Sequence, residues 1–578
     1  MNPLSDTEFK RLRESIDWSN RQLEFTRRKR VEAVKQLVGS HYSDGGADKC
    51  VPTNFIKLAT DIHIRLLAAR APRALITTLR PDLRPTAANL ELRVNQIPDE
   101  IDLTTTFRKL VAEAIFSMGI VKIGLHTVGK ILGHEYGQTF VDLVTIDDYF
   151  CDMAAKQMEQ IQYEGNDYWL DYKEVMESDM FPKAALSGLK ADEYTVIGER
   201  GEDRAEGIFS NGSATLFKDK IWLRDVWLPS EELVVTYAVK SEKRLNVVEW
   251  EGPERGPYKK LGFSDVPGNL LPLPPVAVWR DIHELANALF RKLANQADGQ
   301  KTVLGFPGGN DESVIEFRNA KDNDGIKYKG GKPEKLTVGG IDPTTLAFYL
   351  QCRDLYSYFA DNLDSLGGLG PQTKTVGQDR LISEAANAQL RDMASKFVDC
   401  AREVFRAIAW YEWNDPVSSK ILEKPVPGTD LKIRVPWNRD SRKGSFDLYD
   451  LQIDVYSLQD DSPALQLQRL NLFVKEFVLP LAPLIQQQGG TIDVQTILRL
   501  AAKYADFKEG GEIVVFTNDQ GSEKAAGVPG MPQQTTRTYE RVNRPGATEG
   551  GKSQILQQAL LGGNPQKSEM ESLTRSTE

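Results

Sequence analysis

Apolar residues recur every three or four positions over most of this chain and are interrupted by shorter stretches with the composition of strands. Residues 6–38 place Phe9, Leu12, Ile16, Leu23, Val31, Val34 and Leu37 on one face among many charges, which predicts a long helix. Arg27, Arg28, Lys29 and Arg30 lie on it, and a solvated face is the plainer reading of such a run, ahead of a nucleic-acid contact. A second helix is predicted over 53–70, ended by Ala71 and Pro72, then a short strand over 73–79. Helices over 86–97 and 102–118 follow, the latter stopped by Gly119. Residues 120–126 and 139–145 are β-rich and predict a hairpin. Asp147, Asp148 and Asp152 lack the glycine turn and terminal glutamate of a calcium loop, so a turn that starts the next helix is expected there. Strands predicted at 221–228, 232–239 and 245–250 complete a mixed α+β body. Proline and glycine make 251–275 an extended connector.

The next 130 residues carry a different pattern. A helix over 281–298 presents Ile282, Leu285, Ala286, Leu289 and Leu293 on one face. Nine glycines between 299 and 340, with strand-like pieces at 302–306, 313–317 and 325–329, predict a small β-type excursion at the tip of two helices. The second of these, over 343–366, is marked by the Asp342 cap, Pro343 in the first turn, and Phe348, Cys352, Leu355, Tyr356, Phe359, Leu363 and Leu366 at helical spacing. A glycine-rich loop over 366–378 follows, holding Gly367, Gly368, Gly370, Gln372, Thr373, Lys374, Thr375, Gly377 and Gln378. A third helix over 378–413 has a seam of Ala386, Leu390, Met393, Phe397, Cys400, Val404, Ile408 and Tyr411. After a proline-rich crossing, 446–456 should return to the β body, and helices are predicted at 463–488 and 493–506. Beyond Asn518 the composition cannot bury a core, so disorder is expected apart from a short helix at 553–561.

The loop invites a nucleotide-binding reading, since Gly368, Lys374 and Thr375 are spaced as in a P-loop. Thr373 stands where the glycine before the lysine should be, and the preceding residues have helical spacing where a Walker loop follows a strand. His283 and Glu284 begin like a helical zinc-protease motif, but Asn287 replaces the second histidine, which makes a plain helix surface the better reading. With five histidines and no nucleophile motif, no catalytic chemistry, metal or cofactor is expected.

A length of 578 residues predicts several domains or an elongated multi-segment subunit. No apolar run reaches the length of a membrane span, and the N-terminus lacks a signal-peptide pattern, so synthesis in a reducing cytosol is expected. Cys50, Cys151, Cys352 and Cys400 suggest neither a disulfide framework nor a zinc ribbon. The net charge of -10 restricts any DNA contact to local, weak patches.

The order of parts resembles the portal, or head-tail connector, proteins of tailed double-stranded DNA phages, in the form found with short-tailed phages. Three local patterns carry the resemblance: the connector from Glu249 to Pro272, the helix, glycine-rich tip and helix over 281–366, and the 366–378 loop before a long helix. The resemblance implies an α+β subunit with a wing over 1–280 to which 415–457 return. It also implies stem helices at 281–298 and 342–366, a clip at 299–341, a channel loop at 366–378, a long wing helix at 378–413, and a crown at 458–510. It further implies a dodecameric ring at one capsid vertex of the virion, assembled in the host cytoplasm, through which DNA is packaged and ejected. Expected partners are other copies of the chain, double-stranded DNA in transient contact, the terminase large subunit, the major capsid protein, a scaffolding protein and a tail adaptor, with no membrane. Lys374 would be the main charge facing DNA. Gln372, Thr373, Thr375 and Gln378 would offer neutral contacts, and Gly367, Gly368, Gly370 and Gly377 would let the loop bend. Lys321, Lys327, Lys329, Lys332 and Lys335 would face the packaging motor and later the adaptor, although they alternate with Asp322, Asp324 and Glu334 as a solvated surface does. A P-loop ATPase or packaging motor, or another virion scaffold component, is the alternative.

Overall fold

A computed structural model describes residues 4–39, 49–126, 137–177, 181–192, 219–305, 334–338, 340–366, 376–415, 419–425 and 432–454, with Ile315, Asn319 and most of 470–481. The chain divides into two units, Met1–Asp493 and Val494–Glu578, and every described residue lies in the first. That unit is α+β. The helices predicted at 493–506 and 553–561 and the tail beyond Asn518 lie outside the described residues; of 458–510 only 470–478, 480 and 481 are described, and they are helical, within the predicted 463–488 helix.

Helix α1 (Asp6–Val38) starts at a capping box in which the Ser5 hydroxyl accepts from the Glu8 N–H and the Glu8 carboxylate accepts from the Ser5 N–H. Its Phe9, Ile16 and Leu23 are buried, as the spacing predicts. Next come α2 (Phe55–Leu67), β1 (Arg73–Thr77), α3 (Arg84–Val94), the single turn α4 (Ile97–Glu100) and α5 (Leu103–Phe116). Strands β2 (Gly119–Leu125) and β3 (Thr139–Val144) form the predicted antiparallel hairpin. Then follow β4 (Tyr149–Cys151), β5 (Glu164–Asp171), the short helices α6 (Tyr172–Glu177) and α7 (Lys183–Leu186), and β6 (Lys220–Leu228), β7 (Leu233–Ala238) and β8 (Lys243–Glu249). Strands β4 to β8 make one five-stranded antiparallel meander in sequence order. Its polar residues are paired internally: Arg224 binds Asp167 and the Tyr237 hydroxyl, while Lys122 reaches across to Asp225 at 2.6 Å and Asn166 at 3.1 Å. Such a satisfied network avoids the penalty of buried polar atoms left bare.

Strand β9 (Tyr258–Leu261) adds to the free edge of β2, so the proline-rich connector contains a strand that its composition hid. Helix α8 (Pro275–Asp298), strands β10 (Lys301–Gly305) and β11 (Glu334–Val338), helix α9 (Pro343–Phe359), the one-turn α10 (Leu363–Leu366) and the long α11 (Val376–Asn414) come next. The chain closes with the hairpin of β12 (Lys420–Pro425) and β13 (Lys432–Trp437), then β14 (Asp450–Asp454), which pairs antiparallel with β1. The return to the body predicted for 446–456 therefore ends on a two-stranded sheet with β1 and not on the meander. Helix α11 runs through the main core: Phe397, Ala401, Val404, Phe405 and Ile408 are all fully buried, and Phe397 meets Phe107 of α5 edge-on at 5.4 Å. Truncating an aromatic at such a site costs about 3–5 kcal/mol.

Several expectations are corrected. Arg27 and Arg30 are internal: Arg27 donates to the Ile146 and Tyr149 carbonyls, and Arg30 pairs with Glu113 and Asp147. Only Arg28 and Lys29 of that run are exposed. The Asp147 turn leads into β4, because Tyr149, Phe150 and Cys151 are all fully buried and a sheet accommodates three consecutive buried residues. Gly119 does not stop a helix; it opens β2 where a Cβ would lie 2.5 Å from the Leu110 carbonyl oxygen.

Candidate functional site

The resemblance directs attention to α8, α9 and the root of the glycine-rich loop. Helix α8 begins at Pro275, whose fixed φ and missing N–H suit the first turn, so it is six residues longer than the predicted 281–298 helix. At the other end of the pair, the Asp342 carboxylate accepts from the Thr344 and Thr345 N–H groups and hydroxyls. These bonds hold its carboxyl far below the ordinary range.

The two helices form an antiparallel hairpin. At the end next to the short β10–β11 ladder, the Asp342 N–H donates to Gln296 Oε1 at 3.1 Å; midway, the Phe290 and Tyr349 rings lie 5.4 Å apart. At the other end the Trp279 indole N–H donates to the Phe359 carbonyl at 3.1 Å. Ala286, Leu293, Tyr349 and Cys352 form the seam between the helices. His283 and Asn287, read from the sequence as plain surface, are fully buried instead. The Asn287 amide exchanges hydrogen bonds with the backbone of Thr53, and His283 lies against Phe55 and Tyr356, so these residues fasten the hairpin to the segment before α2. Burial pushes the His283 imidazole down to about 4. Among the described residues no group of three or more His, Cys, Asp or Glu could hold a metal ion.

The outward faces of the hairpin carry many apolar residues among charged ones such as Asp281, Glu284, Arg353 and Asp354. Val278, Leu285 and Phe290 on α8 and Leu346, Phe348, Leu350, Leu355, Tyr358 and Phe359 on α9 are all exposed, from 36% for Phe290 to 66% for Tyr358. Helix α9 thus carries apolar residues on its buried side and on its open side, the pattern of a helix meant to be covered all round.

The 343–366 helix expected from periodicity is broken. Helix α9 ends at Phe359, Asp361 and Asn362 take left-handed conformations at φ 67° and 55°, and α10 follows. A helical segment leads into the glycine-rich loop, as predicted, where a Walker loop has a strand. Residues Gly367, Gly368, Gly370, Gln372, Thr373, Lys374 and Thr375 lie outside the described residues. Gly377 and Gln378 belong to the first turn of α11, not to the loop, because the helix starts two residues earlier than predicted. A glycine there is tolerated, since first-turn N–H groups have no intrahelical acceptor to lose. Lys335 sits in β11 opposite Leu304, while Lys321, Lys327, Lys329 and Lys332 lie outside the described residues.

Sequence reasoning missed two features of this region. The open apolar side of α9 was hidden in the same spacing that marked it as a helix. The partner of Asp361 is His63 on α2, a contact 298 residues apart in sequence that no local motif signals. Comparison with known proteins adds nothing to this picture: no family model matches the chain, and no curated protein matches it.

Proposed function

We propose that this chain is the repeating subunit of a phage portal, a ring at one capsid vertex that passes double-stranded DNA during packaging and ejection. In this reading the wing comprises 1–280 together with 415–457, the α8–α9 hairpin is the stem, the β10–β11 ladder is the base of the clip, α11 is the long wing helix and 458–510 form the crown. The observation that carries the reading is the set of exposed apolar residues on the outside of the hairpin. A ring closes by head-to-tail contacts, in which two different faces of each subunit meet, and a hairpin that exposes apolar residues on its outside supplies such faces. Phe348, Leu355 and Tyr358 are 46%, 43% and 66% exposed. With about half of a full side-chain transfer of roughly 1.5–3 kcal/mol still to be gained, each contributes about 1 kcal/mol when a neighbour covers it.

The charge balance suits a channel. Each phosphate contact adds salt-dependent affinity that would brake a moving duplex, and a chain of net charge -10 makes few of them. Lys374, one per subunit, is the proposed transient contact. The clip, with its lysines, is the proposed docking site for terminase and then for the tail adaptor, and the capsid and scaffolding proteins are the proposed partners of the remaining surface.

Electron microscopy of the purified full chain tests the proposal. Rings with a central channel are expected for the wild type, and Leu355→Glu with Tyr358→Glu should give single subunits of unchanged fold. Wild-type protein that stays monomeric under all conditions, or rings unaffected by the paired substitution, would remove the basis of the reading. Lys374→Ala should assemble normally and alter the packaging or retention of DNA.

A further inference from the structure

Residues three and four apart share one face of a helix, and one such face from each of α1, α2 and α5 lines a common groove. Val34, Leu37 and Val38 of α1, Ile64 of α2, and Ala112 and Phe116 of α5 floor its first half, a concavity of about 540 Å³. Phe116 is buried and the others are half-buried, so apolar surface stays open along the floor. Asp61, Ile64 and Ala112 also line a second concavity, of about 510 Å³, which continues the groove between α2 and α5. This half is charged. Arg65 stands on the α2 side and Arg108 and Lys109 on the α5 side, and all three are exposed. The other cations of the groove are matched: Lys57 binds Asp61 at 3.0 Å, and Arg30 binds Glu113 at 2.7 Å. Among the described residues no carboxylate lies within ion-pair distance of Arg65, Arg108 or Lys109. In a chain of net charge -10, a concavity with three unmatched cations is a place for an anion.

We propose that this groove docks an acidic amphipathic helix of a partner protein, with Arg65, Arg108 and Lys109 selecting its carboxylates. A phosphodiester backbone would use the cations but leave the apolar floor wet. A helix with an apolar stripe and carboxylates beside it uses both halves: its stripe covers Val34, Leu37 and Ile64, and its acids meet cations on the two rims. Burial on the floor supplies affinity, and the rim charges supply rate of encounter and choice of partner. The groove lies within one subunit, so the proposal does not rest on the portal reading.

The probe is a fluorescein-labelled helical peptide of Leu, Ala and Glu, with Leu at i, i+3, i+4 and i+7 and Glu flanking that stripe. In fluorescence anisotropy with the full chain at low salt, Arg65→Glu with Arg108→Glu should weaken binding at least tenfold, and a peptide with every Glu replaced by Gln should lose as much. A peptide of the same composition with its Leu residues scattered should also bind at least tenfold more weakly, because it presents no stripe to the floor. Lys432→Glu with Arg434→Glu makes the same charge change at exposed sites of β13 and should leave binding as it is in the wild type. Equal binding by wild type and the Arg65, Arg108 variant would overturn the proposal, and so would an equal loss in the β13 variant. A double-stranded oligonucleotide or phosphatidylserine vesicles that bound more tightly than the peptide, and were released by Arg65→Glu with Arg108→Glu, would overturn it too by making the groove a phosphate site.

Discussion

Arg93 offers the sharpest test of what holds α11 in place. Its guanidinium is 1% exposed and donates twice to Glu412 of α11, both at 3.0 Å, and twice to Glu100 of α4, at 2.5 and 3.0 Å. Replacing Arg93 with Met leaves the Glu412 carboxylate, itself 3% exposed, with Lys420 at 3.6 Å as its remaining cation. Removing one partner of a buried pair costs about 3–5 kcal/mol, and the surviving lysine places this case near 3 kcal/mol. Arg93→Met with Glu412→Leu removes both charges and should recover to within about 1 kcal/mol of wild type, since an apolar pair of similar volume replaces an ion pair at little cost. Trp413, tilted against Trp437 at 6.1 Å, lies next to Glu412 and contributes to the tryptophan fluorescence that follows urea unfolding. A chain of this length need not unfold in one step, so the quantity to compare is the midpoint of the transition these indoles follow, at constant slope. Acid provides a second arm. Burial raises the Glu100 carboxyl, but the Arg93 hydrogen bonds and charge, with Lys420, outweigh it and leave the group below its ordinary value of 4.5. A lowered folded value means stability that is present above about 4.5 and lost as pH falls through the folded value, so the gap between wild type and Arg93→Met should narrow in acid. Glu100 is partly exposed, which keeps that arm small. A single substitution costing under about 1 kcal/mol, or a double one worse than the single, would refute the account.

Two further outcomes follow from burial. The imidazole of His283 lies at about 4 against an ordinary 6.5, so the unfolded chain takes up a proton that the folded chain refuses; its contribution is complete above about 6.5 and falls by about 3 kcal/mol as pH drops towards 4. His283→Gln should flatten that pH dependence in thermal scans, and an unchanged slope would refute the assignment. Alkylation at neutral pH should modify Cys50 alone, because Cys50 is exposed whereas Cys151, Cys352 and Cys400 are buried and their thiols raised, Cys151 and Cys400 to about 12. Mass spectrometry showing a second native adduct would contradict it.

Local pattern determined much of this protein. A seam of period 3.6 was enough to place α1 at its observed bounds, and the Asp342–Pro343 start of α9 and the seam of α11 from Leu390 onward were equally legible. Strands β2, β3, β6, β7 and β8 were visible because branched and aromatic residues cluster there. What lay out of reach was everything that depends on a distant neighbour. Arg27 and Arg30 look solvated until β4 and α5 supply carbonyls and carboxylates that make their burial tolerable. Strand β9 has no alternation of its own and exists because the edge of β2 is free to pair. The break after Phe359 is capped locally by left-handed Asp361 and Asn362, with the Asn362 N–H donating to the Ser357 carbonyl at 2.7 Å, but the buried imidazole that binds the Asp361 carboxylate lies 298 residues earlier in the chain. Spacing along a chain records which face of a helix or strand is apolar, but only packing decides whether a charge finds its partner, an edge finds its strand, or an apolar face is left open for another molecule.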